Sequence, residues 1–416
     1  MKLLLSVLHI AFCATLACGC ATARPRATPP PPAPPSVQYL QMLRSGVDRT
    51  RSQMPAIIQS AEISAKRVVA GRRIFIAGSQ PDFPSEFLGR CGGMMGMASL
   101  PKQFNRGDVV LFGARSKLTI GDRINIDRWR RQGVYVVAFA SAALSADSYF
   151  NPDVLIDSGS EPGLACTNAK LCPADSVINI INAWTWTGEF VAACTRLGKM
   201  PVMYQSYGLP GGRDRADFYR GRMFHDDREV KPIGSGELGN AYLDCMGASL
   251  DAIAVKAPAT LKIAGDWLRD SGPQRCELWS TGHMFPSHYA DRRAPQPFGK
   301  TGGVQITRTP SAAVAVVLGY QDAPQIAIDA ATLRRTRLLY TSAKRGEGDG
   351  RDGIYFVDPH WPIEDACVAI DGYDIPILPA SGVLQAAIYW ATLAEAFAVP
   401  TTLGQPIATS ATPGEK

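Results

Sequence analysis

The sequence predicts an α/β protein of two doubly wound, three-layer αβα domains with parallel sheets, arranged as a pseudo-dimer. Three observations carry this. Four segments recur in the same order at a spacing of about 205 residues. Within each recurrence, short β-branched runs alternate with stretches of helical periodicity. Those runs are continuously apolar, which marks strands covered on both faces of a parallel sheet.

The repeat is visible by eye. "VVLFGARS" from Val109 matches "VVLGYQDA" from Val316, and "PADSVINIINAWTW" from Pro173 matches "PASGVLQAAIYWAT" from Pro379. Gly78 of "FIAGSQ" corresponds to Gly282, and "YLQMLRSGVDRT" from Tyr39 to "YLDCMGASLDAI" from Tyr242. A tandem duplication follows, with one domain over 36–235 and a second over 236–416.

In chain order, "MKLLLSVLHIAFCATLACGCATA" has the Lys, apolar stretch and small residues of an export signal. Ala21 to Ala23 fits a cleavage site. Cys18 and Cys20 suggest instead a lipid-modified cysteine, although neither has Leu three residues before it. An uncleaved anchor is a third reading, but the run is short for a membrane span. Residues 1–23 are therefore a signal peptide or lipoprotein signal. Residues 24–35, "RPRATPPPPAPP", form a linker that its prolines hold extended. The expected location is the periplasm or cell envelope, with membrane contact only through an N-terminal lipid or signal anchor.

Each copy then opens with a long amphipathic helix, Val37 to Ala70 and Gly239 to Arg269. A first strand follows ("RRIFIAG", "RCELWSTG"), then a polar helix start and a second strand ("DVVLFG", "AVAVVLG"). Next come a helix ("DRINIDRWRRQG", "QIAIDAATLRRT"), a third strand ("VYVVAFAS", "RLLYTSA") and a fourth ("DVLIDSG", "ACVAIDG"). Ligands of such sheets lie beyond the C-terminal strand ends, near helix N-termini. The turns after Gly78, Gly113, Gly282 and Gly319 occupy those places. Trp184, Trp186 and Trp390 fall on the "PADS" and "PASG" helices, which are apolar nearly all round and suited to a shared interface.

Composition excludes several functions. Apolar residues are 46% and charged residues 19%, and a net charge of +6 comes without the dense basic runs of a nucleic-acid binder. No zinc-type Cys/His spacing occurs, so no metal is expected. No G-x-G-x-x-G follows the first strand of either copy, and "GGMMG" (Gly92 to Gly96) is not one; no cofactor is expected. Cys166 and Cys172 flank "CTNAKLC" and read either as a disulfide or as two unpaired thiols. Cys91, Cys194, Cys245 and Cys367 read as buried thiols. "PGGRDR" (Pro210 to Arg215) reads most simply as a turn.

"STGHM" (Ser280 to Met284) resembles the "GTGHS" turn of the sugar isomerase (SIS) family, near the small bacterial SIS proteins with a preceding long helix. "AGSQPDFPSEFLGRCGG" holds the same place in copy one, with Gly78, Glu86 and the "RxGG" of Arg90, Gly92 and Gly93. "DVLIDSGSEPG", "PADSVINIINA" and "YGLPGGRDRADFYRGR" resemble later segments of that group. The resemblance implies a Rossmann-like domain holding a phosphosugar, with a Ser-rich loop gripping the phosphate. Here that loop is "GARSKLT" in copy one, keeping Ser116 and Thr119 and adding Arg115 and Lys117, which suits an anion. In copy two it is "GYQDAPQ", whose Asp322 would repel one. Ser79 stands where copy two has His283, so neither copy has the whole motif.

The expected ligand is a phosphorylated or amino sugar, with cell-wall sugars a plausible class. The protein is either a sugar-phosphate isomerase or a catalytically inactive binding or regulatory protein. Candidate catalytic residues are Glu86, as general base, and His283. Candidate ligand-binding residues are Ser79, Gln80, Arg115, Ser116, Lys117, Thr119, Ser280, Thr281 and Gly282. Each has a plainer reading: Glu86 as a first-turn glutamate favoured by the helix dipole, Ser280 or Thr281 as an N-cap, "ARSKLT" as an exposed basic loop. A boundary site would require His283 and the Arg115–Lys117 loop to face a common cleft.

Overall fold

The computed structural model describes residues 32–399 apart from 81, 116, 160–162, 167–168, 282–297, 304–309 and 352. Copy one begins with α1 (Pro35–Ser52) and α2 (Met54–Val69). The sequence predicts one continuous helix here. Pro55 at the start of α2 divides it, because proline lacks the N–H and crowds the carbonyl four residues back. There follow β1 (Ile74–Gly78), the short α3 (Phe83–Phe87), β2 (Met97–Ser99) and β3 (Val109–Gly113). Then come α4 (Ile120–Arg131), β4 (Tyr135–Ala140), β5 (Val154–Asp157), the hairpin β6 (Leu164–Cys166) and β7 (Ala169–Leu171), α5 (Ala174–Arg196) and α6 (Gly212–Phe218).

Copy two repeats the plan. Its opening helix is divided by Pro258 into α7 (Glu237–Lys256) and α8 (Pro258–Ser271). It continues with β8 (Cys276–Ser280), β9 (Lys300–Gly303), β10 (Val314–Leu318), α9 (Gln325–Arg334), β11 (Arg337–Thr341) and β12 (Ile354–Phe356). The hairpin β13 (Ala366–Val368) and β14 (Ile377–Pro379) leads into α10 (Ser381–Phe397).

The first sheet runs β2-β1-β3-β4-β5 and the second β12-β11-β10-β8-β9, each parallel throughout. Written by order of appearance, both are 2-1-3-4-5, the doubly wound order expected of a duplication. Two strand assignments need correction. "ACVAIDG" is not the outer strand of the second sheet; Ala366–Val368 pairs antiparallel with Ile377–Pro379, and the outer place goes to β12. The edge strands β2 and β9 carry no long apolar run and escape a pattern based on hydrophobicity.

Equivalent bonds in the two copies confirm the internal symmetry. Tyr39 donates its hydroxyl to the Pro173 carbonyl at 3.5 Å, and Tyr242 does the same to Pro379 at 3.2 Å. The Asn179 amide of α5 donates to the Ala114 carbonyl at 2.7 Å, and the Gln385 amide of α10 to the Gly319 carbonyl at 2.5 Å. Each staple ties a central helix to the C-terminal end of the third strand of its sheet. Helices α5 and α10 are buried on every face, and one apolar core runs from Trp184 and Trp186 of copy one to Trp390 of copy two. Smaller cores cover the outer face of each sheet.

Cys166 and Cys172 are both unpaired and buried. The Cys172 thiol instead donates to the Trp390 carbonyl at 3.0 Å, linking β7 to α10. Cys194 is buried, and Cys91, Cys245 and Cys367 are partly so. No described helix is long and apolar enough to cross a membrane.

Candidate functional site

The strand ends of copy one are filled by the chain itself. A Cβ on Gly78 would lie 1.9 Å from the Gly113 carbonyl oxygen, and one on Gly113 would lie 2.2 Å from the Phe83 ring. Both glycines are thus required by close approach. Phe83 and Phe87 of α3 are wholly buried here. Asp82 is buried beside them, and neither carboxylate oxygen makes a well-formed hydrogen bond. Burial pushes its pKa up to about 8, with Glu86 adding to the rise and Arg115 opposing it.

The sequence-predicted residues of this copy are divided among structural tasks. Gln80 is wholly buried, donates to the Ser176 carbonyl at 3.1 Å and accepts from the Asn179 amide at 3.0 Å. Thr119 caps α4: its hydroxyl accepts from the Asp122 N–H at 3.1 Å, and the Asp122 carboxylate accepts from the Thr119 N–H at 2.8 Å. Ser79 and Arg115 are half-buried and Lys117 is exposed. Ser116 lies outside the described residues.

The strand ends of copy two border a cavity. Ser280 is buried at the end of β8, and the Thr281 N–H donates to the Leu318 carbonyl at 2.8 Å. Gln385 donates to the Thr281 carbonyl at 3.1 Å, fixing the turn from below. Gly282 and His283 lie outside the described residues, as does His288. Beside Thr281 opens a cavity of about 290 Å³ whose far wall comes from copy one. Copy two contributes Thr281, Tyr320 and Gln321; copy one contributes the Gly89–Cys91 turn and residues 205–208. The cavity is therefore a cleft between the two copies. Arg115 and Lys117 do not line it.

Arg90 forms the floor of this cleft and is 2% exposed. Its Nε pairs with Glu86 Oε1 at 3.2 Å, its Nη1 with Asp365 Oδ2 at 2.6 Å, and its Nη2 donates to Ser381 Oγ at 2.6 Å. The Trp184 indole donates to Glu86 Oε1 at 3.3 Å, and the Ser381 N–H to Asp365 Oδ1 at 2.7 Å. Gly382 makes room for the Glu86 carboxylate, since a Cβ there would lie 2.5 Å from Oε1. Two carboxylates thus face one guanidinium, and the positive N-terminal end of α10 shares the excess negative charge.

The β13–β14 hairpin holds the Arg90 turn in place. The Leu378 N–H donates to the Gly92 carbonyl at 2.9 Å, and Gly92, at φ +73°, has Ala366 3.0 Å from where its Cβ would be. Cys91, on the cleft wall, donates to the Glu364 carbonyl at 3.3 Å. Burial pushes its thiol up to about 11, so it is not a thiolate at neutral pH.

The walls therefore offer amides and hydroxyls (Gln205, Gln321, Ser206, Thr281) beside two phenol rings, Tyr320 and the exposed Tyr207. Glu86 is wholly buried, behind Arg90 rather than on the wall. Of the cleft's lining, the Arg90 turn, Thr281, Gln321, Tyr207 and Gly208 fall in segments quoted from the sequence, and Gln205 and Ser206 fall in none; all meet only through the packing of one copy on the other. Among the described residues, no group of three or more His, Cys, Asp or Glu side chains is placed to hold a metal.

No protein-family model matches the sequence, and no curated protein matches it. Solved structures with a similar course of chain do exist. One is a protein assigned as a phosphosugar isomerase from Silicibacter pomeroyi: TM-score 0.47, 11% identity, 87% of this chain and 97% of that one covered. Another is the C-terminal domain of glucosamine-fructose-6-phosphate aminotransferase from Francisella tularensis, with TM-score 0.42, 11% identity, and 87% and 98% covered. A third, assigned as a tagatose-6-phosphate ketose/aldose isomerase, is from Clostridium novyi, with TM-score 0.46, 8% identity, and 86% and 87% covered.

Proposed function

We propose that the cleft between the two copies binds a carbohydrate derivative, an amino sugar in particular, and that the protein binds this ligand without isomerising it. The observation that carries this is the make-up of the cleft. Its described walls present amides, hydroxyls and phenol rings, which suit a polyhydroxylated ring. The charges behind the floor, Glu86 and Asp365 against Arg90, leave one negative charge in excess. That balance favours an ammonium or acetamido substituent over a phosphate at the floor.

An isomerase needs a carboxylate within reach of a sugar carbon. Glu86, the carboxylate that the motif offers, is wholly buried and committed to Arg90 and Trp184. The N-terminal signal and proline-rich linker support delivery to the cell envelope, where amino sugars of the wall would be the ligand class. Mass spectrometry of the native protein distinguishes cleavage after Ala23, a lipid on Cys18 or Cys20, and no processing; an intact, unmodified N-terminus contradicts export.

The test of binding is a thermal-shift and calorimetric panel of glucosamine, N-acetylglucosamine, N-acetylmuramic acid and glucosamine 6-phosphate. A ligand at a hundred times its Kd adds about 2.7 kcal/mol of stability. Binding by at least one unphosphorylated amino sugar is expected, weakened by Tyr207→Ala or Gln321→Ala. Stabilisation by phosphosugars alone, with aldose–ketose interconversion, would overturn the reading.

A further inference from the structure

At the opposite, N-terminal ends of the strands, each copy has a second hollow. In copy two it encloses about 540 Å³ between the last turn of α9 and the starts of β11 and β12, and Arg335, Arg337 and Arg351 line it. In copy one a hollow of about 320 Å³ lies in the corresponding place, lined by Arg67, Arg106 and Arg130. The two positions match closely: Gly133 and Arg335, at φ +76° and +57°, both end the helix that precedes the fourth-appearing strand. The arginines themselves do not correspond in sequence. Each copy thus reaches the same local charge from different positions.

The two hollows differ in how that charge is answered. In copy one Arg130 faces Asp153 at 3.8 Å, while Arg67 lies over the Tyr135 ring and donates to the Gly107 carbonyl at 3.4 Å. In copy two none of the three arginines makes an ion pair with a described residue. The ion pairs of this region, Arg345 with Asp349 at 3.3 Å and Lys344 with Asp322 at 2.8 Å, lie past the other ends of these strands. Arg337 rests over the Trp267 ring, 5.9 Å from its centroid, which orients it at the rim of the hollow.

We propose that the copy-two hollow binds a phosphate monoester. Three guanidinium forks match the oxygens of a tetrahedral dianion, and the volume admits a small organic group with it. Helix α9 points its carbonyl end here, which offsets part of the positive charge of the three arginines. A doubly charged phosphate gains more from three guanidinium groups than a single carboxylate does. The site is independent of the cleft reading, being at the other edge of the sheet.

The same headgroup chemistry belongs to a soluble ester and to a membrane lipid, so the test has two arms. The whole mature protein is titrated with glycerol 3-phosphate by calorimetry and sedimented with phosphatidic acid vesicles. Binding in either arm is expected to weaken as salt is raised, as for any exposed charge cluster. Arg335→Gln/Arg337→Gln/Arg351→Gln together should weaken it by about tenfold or more, since each removes a charge-assisted bond. Arg130→Gln in copy one and Gln321→Ala in the cleft should leave it within about twofold. Should the triple variant fail to fold, Arg351→Glu on its exposed turn takes its place, with a loss of about fivefold expected. Binding of vesicles alone identifies a lipid headgroup, and of glycerol 3-phosphate in solution a free ester. No binding in either arm, or equal binding by the variants, overturns the proposal.

Discussion

Replacing Arg90 with alanine would strand two buried carboxylates, Glu86 and Asp365, with no cation between them. Breaking a buried pair in this way costs about 3–5 kcal/mol, so urea denaturation of Arg90→Ala should show a loss of that size. Glu86→Gln keeps the shape, removes one of the two negative charges and should cost far less. If both substitutions were equally mild, Arg90 would not be the clamp described. Asp82 gives a pH test. Its folded pKa, about 8, is above the unfolded value near 3.9, so the folded state holds a proton that the unfolded state releases. Stability from this group is complete below about pH 4 and is lost as pH rises towards 8. Asp82→Asn should therefore stabilise the protein at pH 8 more than at pH 5, as read by the denaturation midpoint. At this scale the sequence was partly legible: Arg90 of "RxGG" and Thr281 of "STGHM" both line the cleft. Gln205 lies in no quoted motif, and Gln321, in "GYQDAPQ", becomes a wall residue only when the other copy stands opposite.

Two elements, α5 and α10, organise each half. Their amides, Asn179 and Gln385, each satisfy a carbonyl at the end of a strand. Alanine at either position leaves that buried carbonyl unpartnered and should cost about 1–3 kcal/mol. The Gln385→Ala loss should also weaken ligand binding, since the same amide holds Thr281 in the cleft wall; calorimetry separates the two effects. The strand–helix alternation was readable because buried parallel strands are continuously apolar. Three features were not. Pro55 and Pro258 split the opening helices, where amphipathic periodicity runs on across the break. The edge strands β2 and β9 are too short and polar to register. "ACVAIDG" has strand composition but forms a hairpin that braces the Arg90 turn, and composition cannot state which partner a strand takes.

The described residues of the two copies share one main core, and only the outer faces of the sheets carry cores of their own. Helix α1 of copy one packs on α7 and α10 of copy two, and polar ties cross the same boundary. Ser36 donates its N–H to Glu395 at 2.9 Å, Arg51 meets Asp244 at 2.6 Å, and Arg215 meets Asp374 at 2.6 Å and the Tyr373 hydroxyl at 2.7 Å. Residues 36–235 and 236–416 expressed apart would expose large parts of α5 and α10. Neither half should therefore fold alone, and the intact chain should unfold in a single calorimetric transition. Two separate transitions would contradict a shared core. The same sharing is what creates the cleft, with one wall from each copy. The most direct test is a crystal structure of the protein soaked with glucosamine or N-acetylglucosamine. The account predicts sugar density between the Arg90 turn and Tyr320–Gln321, within hydrogen-bond reach of Thr281. Density over Phe83 at the strand ends of copy one, or an empty cleft at saturating sugar, would contradict it.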